Sequence, residues 1–283
     1  MNVPAKIRKT AVLCLLIAGA AASARASESG GMPGYFLQIG AGARALGMGS
    51  AYAGLSDDSS AILWNPAGLS AVDRNEITVM HGAMFGNSKY EFIGFVYPTV
   101  SVGNWGLAWI QFFSDEIEER DIVNKPTGNI FTMKSRAALL SGSYDIGMNV
   151  SAGQTIKLMM QDSYTPGLAY DAALLYLPLN ELRIGINFQN IVSTRFAGNS
   201  KLPLYFIFGL SGSMMNKTLV LSSQIDVGEG KAFVYHAGVE YSIKKIFSLR
   251  AGINNGYPAV GMGAKWNMFS LDYSILYHVD LGL

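Results

Sequence analysis

Two adjacent carboxylates, Asp57 and Asp58, are the residues whose type and spacing come nearest to acid–base chemistry. A general acid and a general base must both reach the same reacting atoms. Because neighbours in sequence do not readily face one target, we interpret the pair as part of a helix cap that continues through Ser59 and Ser60. Acidic groups there stabilise the unpaired N–H groups of the first helical turn. The sequence therefore predicts a structural role for both aspartates.

The other potentially reactive side chains are scattered. His81, His236 and His278 lie far apart in sequence, without the spacing of metal ligands. No serine lies in a Gly-x-Ser-x-Gly turn, and the glycines around Met48 lack the strand-then-helix setting of a phosphate-binding loop. We therefore expect no enzyme activity, no catalytic residue, no metal and no cofactor.

The composition favours a membrane β-protein or a large soluble one. Apolar residues make up 50% of the chain and charged residues only 14%, against ~25% charged in soluble domains. Beyond the first few dozen residues no apolar run approaches the ~20 residues of a membrane helix. The formal net charge of +1 includes no basic field that would indicate nucleic-acid binding. An outer-membrane barrel and a soluble β-sandwich remain as the two alternatives.

The first 26 residues are predicted to be a secretory signal peptide. Lys6, Arg8 and Lys9 precede an apolar stretch at residues 11–22, and residues 24–26 fit a small-x-small cleavage site. Cys14 lies inside the apolar stretch, so the mature chain contains no cysteine. We expect the mature protein to begin near residue 27.

Alternation of apolar and polar residues predicts strands over most of the remaining chain. In residues 181–190, Leu182 and Ile184 face one way while Arg183 and Asn187 face the other. A helix would scatter these faces, since it brings residues i and i+4 together. The predicted strands are residues 75–85, 88–97, 104–113, 133–144, 148–160, 167–178, 181–190, 202–214, 217–226, 233–243, 246–254, 256–265 and 267–278.

The connections between these strands alternate between tight turns and wider loops. Outer-membrane barrels have short periplasmic turns and longer outside loops. The order in which tight turns and wider loops alternate predicts a periplasmic N-terminus. It places the charged segment 114–132 outside, as a solvated loop. The fold class is therefore predicted to be all-β, a transmembrane antiparallel barrel of about 14 strands, of which 13 are readable. Because single-chain bacterial barrels have even strand numbers, we expect either a miscount or a closing strand missing after Leu283.

A glycine-rich run near the predicted mature N-terminus resembles the N-terminal signature of the PorV/PorQ-like outer-membrane proteins, which are related to FadL-type transporters. The residues that carry the resemblance are Gly42, Arg44, Gly47, Gly49, Asp57, Asp58, Trp64, Asn65, Pro66 and Gly68. The resemblance implies that residues 27–74 form a plug-like segment and that residues 75–283 form the barrel.

In such a barrel, the polar positions of the strands face the lumen. We assign to this inward set Arg136, Lys157, Asp171, Arg183, Asn187, Gln189, His236, Glu240, Arg250, Lys265 and Asp272. These side chains either line a conduit or form a paired network that holds the N-terminal segment. We favour the network because the charges are of mixed sign.

The resemblance implies a role in the bacterial outer membrane associated with type IX secretion. Outside loops would then engage secreted cargo proteins or other secretion-machine subunits. The alternative is a FadL-like channel for uptake of hydrophobic small molecules, which needs an apolar pocket near the plug and a lateral opening. A soluble periplasmic β-protein is a third possibility. The sequence identifies neither a cargo nor a ligand.

Overall fold

One antiparallel sheet accounts for most of the structure. The computed structural model describes residues 34–99, 101–162, 165–196, 201–229 and 233–277. The predicted signal peptide with Cys14, and His278 with the end of the chain, lie outside these residues. Within the described ranges, thirteen strands lie in sequence order, each paired with its neighbour. The predicted all-β fold and its 13 readable strands are confirmed.

The strands are β1 (Glu76–Ala83), β2 (Ser88–Tyr97), β3 (Asn104–Arg120), β4 (Pro126–Gly147), β5 (Val150–Gln161), β6 (Gly167–Leu179), β7 (Leu182–Ser193), β8 (Tyr205–Met214), β9 (Leu219–Gly228), β10 (Val234–Ile243), β11 (Phe247–Asn254), β12 (Tyr257–Trp266) and β13 (Phe269–Leu276).

Residues 34–72 precede the sheet and are called the plug below. They contain two short α-helices, Ala43–Gly47 and Ala61–Trp64, and two 3₁₀-helices, Tyr35–Gln38 and Pro66–Ala71. No helix in the described ranges is long and apolar enough to cross a bilayer.

The sheet curls around the plug, because the plug contacts strands along its whole width. The backbone N–H of Gly42 lies 3.2 Å from the sulfur of Met80 in β1. Asn104 of β3 donates to the carbonyl of Leu69 at 2.7 Å. The helix Ala43–Gly47 packs against β11, β12 and β13 at the other edge of the sheet. Among the described residues no ladder joins β1 to β13, so the plug is the part of the chain that touches both edges.

The two faces of the strands differ in chemistry. On β11, Leu249 and Ile253 are exposed on the outer face while Arg250 is buried on the inner face. The same period-two pattern leaves large apolar side chains exposed on strands from β1 to β13. Apolar outward and polar inward alternation is typical of a barrel in a membrane.

The prediction that residues 114–132 form a solvated loop is wrong. β3 and β4 continue as a hairpin through this segment, with Ile117 opposite Phe131 and Arg120 opposite Pro126. A five-residue turn remains, in which the N–H of Asp121 donates to the carbonyl of Lys125 at 2.9 Å. Charged residues suit this ribbon because both of its faces are exposed, so strict alternation is not required.

Turn lengths distinguish the two ends of the sheet. At one end most connections are short, such as those between β6 and β7 and between β12 and β13, although six residues join β2 to β3. Met215 and Lys244 have φ of 53° in two of these turns, as tight hairpin turns require. At the other end the connections after β5, β7 and β9 are longer. Those after β1 and β11 are short as well, so the predicted rhythm holds only in part.

Candidate functional site

Arg44 occupies the centre of the plug's contacts with the sheet. It lies in the helix Ala43–Gly47 and projects toward β10. Its Nε and Nη2 donate to the two carboxylate oxygens of Glu240, at 2.9 and 3.0 Å. This forked pair is the strong, directional form of an arginine–carboxylate contact.

The two aspartates converge on the same guanidinium. Arg44 Nη1 donates to Asp57 Oδ1 at 2.6 Å and to the hydroxyl of Tyr52 at 2.9 Å. The Tyr52 hydroxyl in turn donates to Asp58 Oδ2 at 2.5 Å. The expectation that Asp57 and Asp58 do not face one target is therefore wrong, because the chain bends at Asp58. Only Asp58 also serves the helix start, through the N–H of Ser60 at 2.9 Å.

The contacts extend along the wall of the sheet. Arg250 of β11 donates from Nε to Glu240 Oε2 at 2.6 Å and from Nη1 to Asp272 Oδ1 at 2.6 Å. Arg183 of β7 donates to the plug carbonyl of Leu55 at 2.7 Å. Its Nη1 also lies 3.4 Å from Asp57 Oδ2. We call this set the Arg44 network; it consists of Arg44, Tyr52, Asp57, Asp58, Arg183, Glu240, Arg250 and Asp272.

The network holds one more carboxyl group than it holds arginines. Burial and the neighbouring charge of Asp57 raise the pKa of Asp58 above its ordinary value, although Arg44 opposes this shift. Burial disfavours the charge on Arg44, but Asp57 and Glu240 outweigh it and hold the pKa of Arg44 well above its usual range. Protonation of Asp58 leaves three arginines opposite three carboxylates, which is a neutral set.

A second anchor is built on Gln224 of β9. Its side-chain oxygen accepts from the backbone N–H groups of Tyr52 at 3.0 Å and Ala53 at 2.8 Å. Its amide nitrogen donates to Asp226 at 2.8 Å, which fixes the amide orientation. The wall thus satisfies the buried N–H of Ala53, and it gives the N–H of Tyr52 a second acceptor beside the carbonyl of Ser50, which lies at 3.0 Å.

His236 of β10 joins this anchor to the plug. Its Nδ1 lies 3.1 Å from the carbonyl oxygen of Gly49, and its Nε2 lies 3.2 Å from Asp226 Oδ2. The imidazole ring thus lies between a plug carbonyl and a wall carboxyl group, both within hydrogen-bonding distance.

The end of the signature is tied to the wall by amides. Asn65 donates from Nδ2 to the carbonyl of Ala53 at 2.9 Å and accepts the N–H of Ala67 at 3.1 Å. Pro66 starts the 3₁₀-helix that follows. Trp64 donates from its indole N–H to a plug carbonyl at 2.7 Å, while its own carbonyl accepts from Asn187 at 2.9 Å. Gln189 makes the neighbouring contact, to the carbonyl of residue 63 at 3.0 Å.

Glycines on the inner wall receive the plug backbone at two slots. At the first slot, Gly238 and Gly252 face each other across β10 and β11, and a Cβ on either would overlap the backbone of Met48 or Gly49. At the second slot, Gly185 and Gly209 are paired across β7 and β8. Their missing side chains leave room for the backbone of residues 53 and 54.

The glycines of the N-terminal signature are required by backbone conformation or by close packing. Gly42 and Gly49 have φ of 87° and 64°, in the region that favours glycine. A Cβ on Gly47 would lie 3.1 Å from the Cα of Gly261. A Cβ on Gly68 would overlap the carbonyl of a neighbouring plug turn. Close approach of two backbones therefore explains Gly47 and Gly68.

Lys157 and Asp171 form a separate buried pair in the wall. Their Nζ and Oδ2 atoms lie 2.7 Å apart, and both side chains are 1% exposed. Asp171 accepts the N–H of Asn190 at 2.8 Å, and Lys157 donates to the Asn190 side chain at 3.1 Å. This trio sits where the β6–β7 register is interrupted.

Two of the residues assigned to the lumen do not join these contacts. Arg136 lies on the outer face of β4, between the buried residues Ser135 and Ala137, and its Nη1 is 4.0 Å from Asp162. Its assignment to the lumen is wrong, because at this end of β4 the outward positions are themselves polar, as Thr132 and Lys134 show. Lys265 lies on the same face of β12 as the buried Ala259 and Gly263, but it is exposed near the end of the strand. It forms no ion pair with the described residues.

Sequence reasoning missed Gln224 and Asp226 as anchors. Both lie on the inner face of β9, and the alternation of that strand carries the signal that would have found them. Within the described ranges, no three His, Cys, Asp or Glu side chains are grouped to hold a metal ion.

Solved structures share this architecture at low sequence identity. The Pseudomonas putida toluene transporter TodX has a TM-score of 0.59 and 12% identity, over 83% of this chain and 92% of that one. The CymD monoaromatic hydrocarbon channel has a TM-score of 0.58 and 12% identity, over 84% and 92%. A Pseudomonas aeruginosa FadL homologue has a TM-score of 0.55 and 12% identity, over 82% and 89%. This likeness shows a shared barrel fold.

The sequence itself gives a family. No curated protein matches the chain. Residues 16–174, more than half of the chain, match a family described as uncharacterised, UPF0164. This stretch includes the whole plug and the strands from β1 to β5. The chain belongs to the uncharacterised protein family UPF0164.

Proposed function

We propose that this protein is an outer-membrane β-barrel through which hydrophobic small molecules pass beside a fixed plug. One observation carries the proposal: the lumen of a barrel with the fold of hydrocarbon channels is filled by the chain's own N-terminal segment, held by the Arg44 network. The exposed apolar outer face of the strands supports placement in a membrane.

The plug has two different sides, which suggests where a molecule passes. All charged wall residues of the Arg44 network come from β7, β10, β11 and β13. Facing β2 to β5, the plug instead packs apolar side chains such as Ile62 and Leu69 against Phe92, Ile110 and Leu139. Parting apolar surfaces for an apolar solute breaks no ion pair, so passage on this side leaves the network intact.

Uptake of a labelled monoaromatic hydrocarbon tests the proposal. Cells lacking the gene should take up the hydrocarbon more slowly, and the wild-type chain should restore the rate. Ile62→Asp, which places a charge on the apolar side of the plug, should abolish the rescue while the barrel still reaches the membrane. Equal uptake with and without the gene would contradict the proposal.

A second candidate function is engagement of secreted cargo, as in type IX secretion. The observation that favours it is the β3–β4 hairpin, whose turn carries Ile122 and Val123 at 104% and 65% exposure. An exposed apolar tip is typical of a surface that binds another protein. Replacing residues 115–131 with a short turn should then abolish copurification of cargo, whereas unchanged secretion in a deletion strain would reject this role.

A further inference from the structure

A groove of about 430 Å³ lies on the outer face of β4 to β7. Small side chains at Ala152 and Ala172 form its floor, and the larger Tyr144, Leu174 and Phe188 form its walls. These residues have the outward parity of their strands, so the groove opens away from the lumen. Its volume lies within the ~300–1,000 Å³ of small-molecule sites.

The groove contains one polar pair. The Tyr170 hydroxyl donates to Gln154 Oε1 at 3.0 Å. The amide nitrogen of Gln154 donates to no other described residue, and the side chain is partly exposed in the groove. In an apolar environment, unpaired donors favour a ligand that brings an acceptor atom.

The lining also sets the charge of that ligand. None of the ten residues around the groove is ionisable at neutral pH. A carboxylate or phosphate head group would be buried there without a compensating cation, which is unfavourable in a low-dielectric environment. The site therefore selects an oxygen acceptor without charge.

The floor of the groove is held from the plug side. Gly153 lines the groove, and its missing side chain leaves room for Pro66 and Ala67 on the inner side. Asn65 donates to the carbonyl of Leu174 at 3.2 Å. The depression is thus supported by the signature segment and is formed before any ligand arrives.

We propose that this groove binds an uncharged amphiphile, a single acyl chain with an ester, ketone or alcohol head that accepts hydrogen bonds from Gln154. The inference rests on the membrane placement proposed above and adds a site and a ligand class to it. The acyl chain lies along Ala152 and Ala172, and the oxygen of the head group accepts a hydrogen bond from the amide nitrogen of Gln154.

Trp105 is a reporter for the groove. Its ring meets Tyr144, on the groove wall, edge to face at a centroid distance of 6.2 Å. A chain with Trp109→Phe and Trp266→Phe retains Trp105 and the buried Trp64. It is reconstituted in phosphatidylcholine bilayers and titrated with two brominated quenchers, the methyl ester of dibromostearic acid and the free acid at pH 8. The ester should quench saturably and at lower concentration than the acid.

Three variants locate the binding. Ala172→Phe fills the groove and should remove the saturable phase. Gln154→Leu keeps the volume and should weaken ester binding about threefold to tenfold, the worth of one or two hydrogen bonds. Ala251→Phe, on the outer face of β11 away from the groove, should leave the titration unchanged. All three should retain the heat-modifiable gel mobility of a folded barrel.

Quenching that rises linearly, alike for both probes and all variants, would mean contact with bulk lipid only and would overturn the inference. Stronger binding of the free acid would overturn the ligand class. These measurements involve no transport, so a groove that binds ester in a protein without uptake activity contradicts only the proposed channel. A chain that does not enter bilayers contradicts the membrane placement and the groove together.

Discussion

At the scale of single residues, Arg44 has more partners than any one sequence signal indicated. The resemblance identified it as part of a signature, and alternation placed Arg183, Glu240 and Arg250 on inner faces. Neither signal shows that these side chains meet, since Arg44 and Glu240 are 196 positions apart. The convergence of Asp57 and Asp58 depends on a bend that has no sequence marker. Arg136 shows the converse, since polarity predicts the inner face only where the outer face is apolar.

Replacing Arg44 tests the network directly. Arg44→Met should lower the free energy of unfolding by about 2–3 kcal/mol, less than the ~3–5 kcal/mol of a fully buried pair, because the side chain is 23% exposed. Arg44→Lys should cost less, since lysine keeps the charge but not the fork. Urea unfolding in detergent measures both. Arg136→Met, outside the network, is the matched control and should change little.

The raised pKa of Asp58 predicts a pH dependence of stability. The folded protein binds this proton more tightly than the unfolded chain does, so acidification stabilises the fold. The contribution is complete below the ordinary pKa of about 4 and is lost as the pH rises through the raised value. Asp58→Asn should remove this part of the pH profile of the urea midpoint.

The exposed Asp73→Asn serves as the control for that profile, because Asp73 lies outside the network. It should reproduce the wild-type curve. If Asp58→Asn gives the same curve as well, Asp58 is not the group that takes up the proton.

At the scale of elements, the strands were more predictable than the plug. Period-two alternation requires only that the two faces of a strand meet different surroundings, and all thirteen predicted strands are present. The β3–β4 ribbon was not predicted, because both of its faces are exposed to solvent and its sequence does not have to alternate. The helices of the plug are four to six residues long, too short for a periodic signal, and the plug packs against wall glycines far away in sequence.

Gly238→Ala tests the first glycine slot. The added Cβ would meet the backbone of Met48, which cannot rotate away as a side chain can. Overpacking of this kind costs ~1–3 kcal/mol, so the urea midpoint should fall. Trypsin should also cut the plug faster at Arg44.

Gly82→Ala is the matched control, since the nearest atom to its Cβ lies at an ordinary 3.5 Å. Its midpoint should stay within ~0.5 kcal/mol of wild type. Equal loss in both variants would show that strand glycines matter for the backbone rather than for the slot.

At the scale of the whole molecule, the polar and apolar sides of the plug divide the lumen. Ion pairs bind it to the later strands, while apolar packing and uncharged hydrogen bonds, such as those from Asn104, join it to the early ones. Opening the anchored side would break these ion pairs, whereas a small apolar solute needs only a transient gap between apolar side chains on the other side.

The intact protein should therefore show no sustained ion conductance in planar bilayers. Arg44→Ala combined with Gln224→Ala removes both anchors and should produce open-channel events. Arg136→Ala should remain silent. Steady conductance by the wild-type chain would contradict a closed lumen.

The glycine slots also constrain how the barrel is made. Met48 and Gly49 sit between β10 and β11, and Gly47 rests on β12, so residues synthesised early have their seats in strands synthesised last. Contacts across so long a stretch of chain form slowly. The N-terminal segment therefore lacks these contacts until the last hairpins have formed. We therefore expect the glycines at these contacts to be needed for assembly of the barrel as well as for the finished wall.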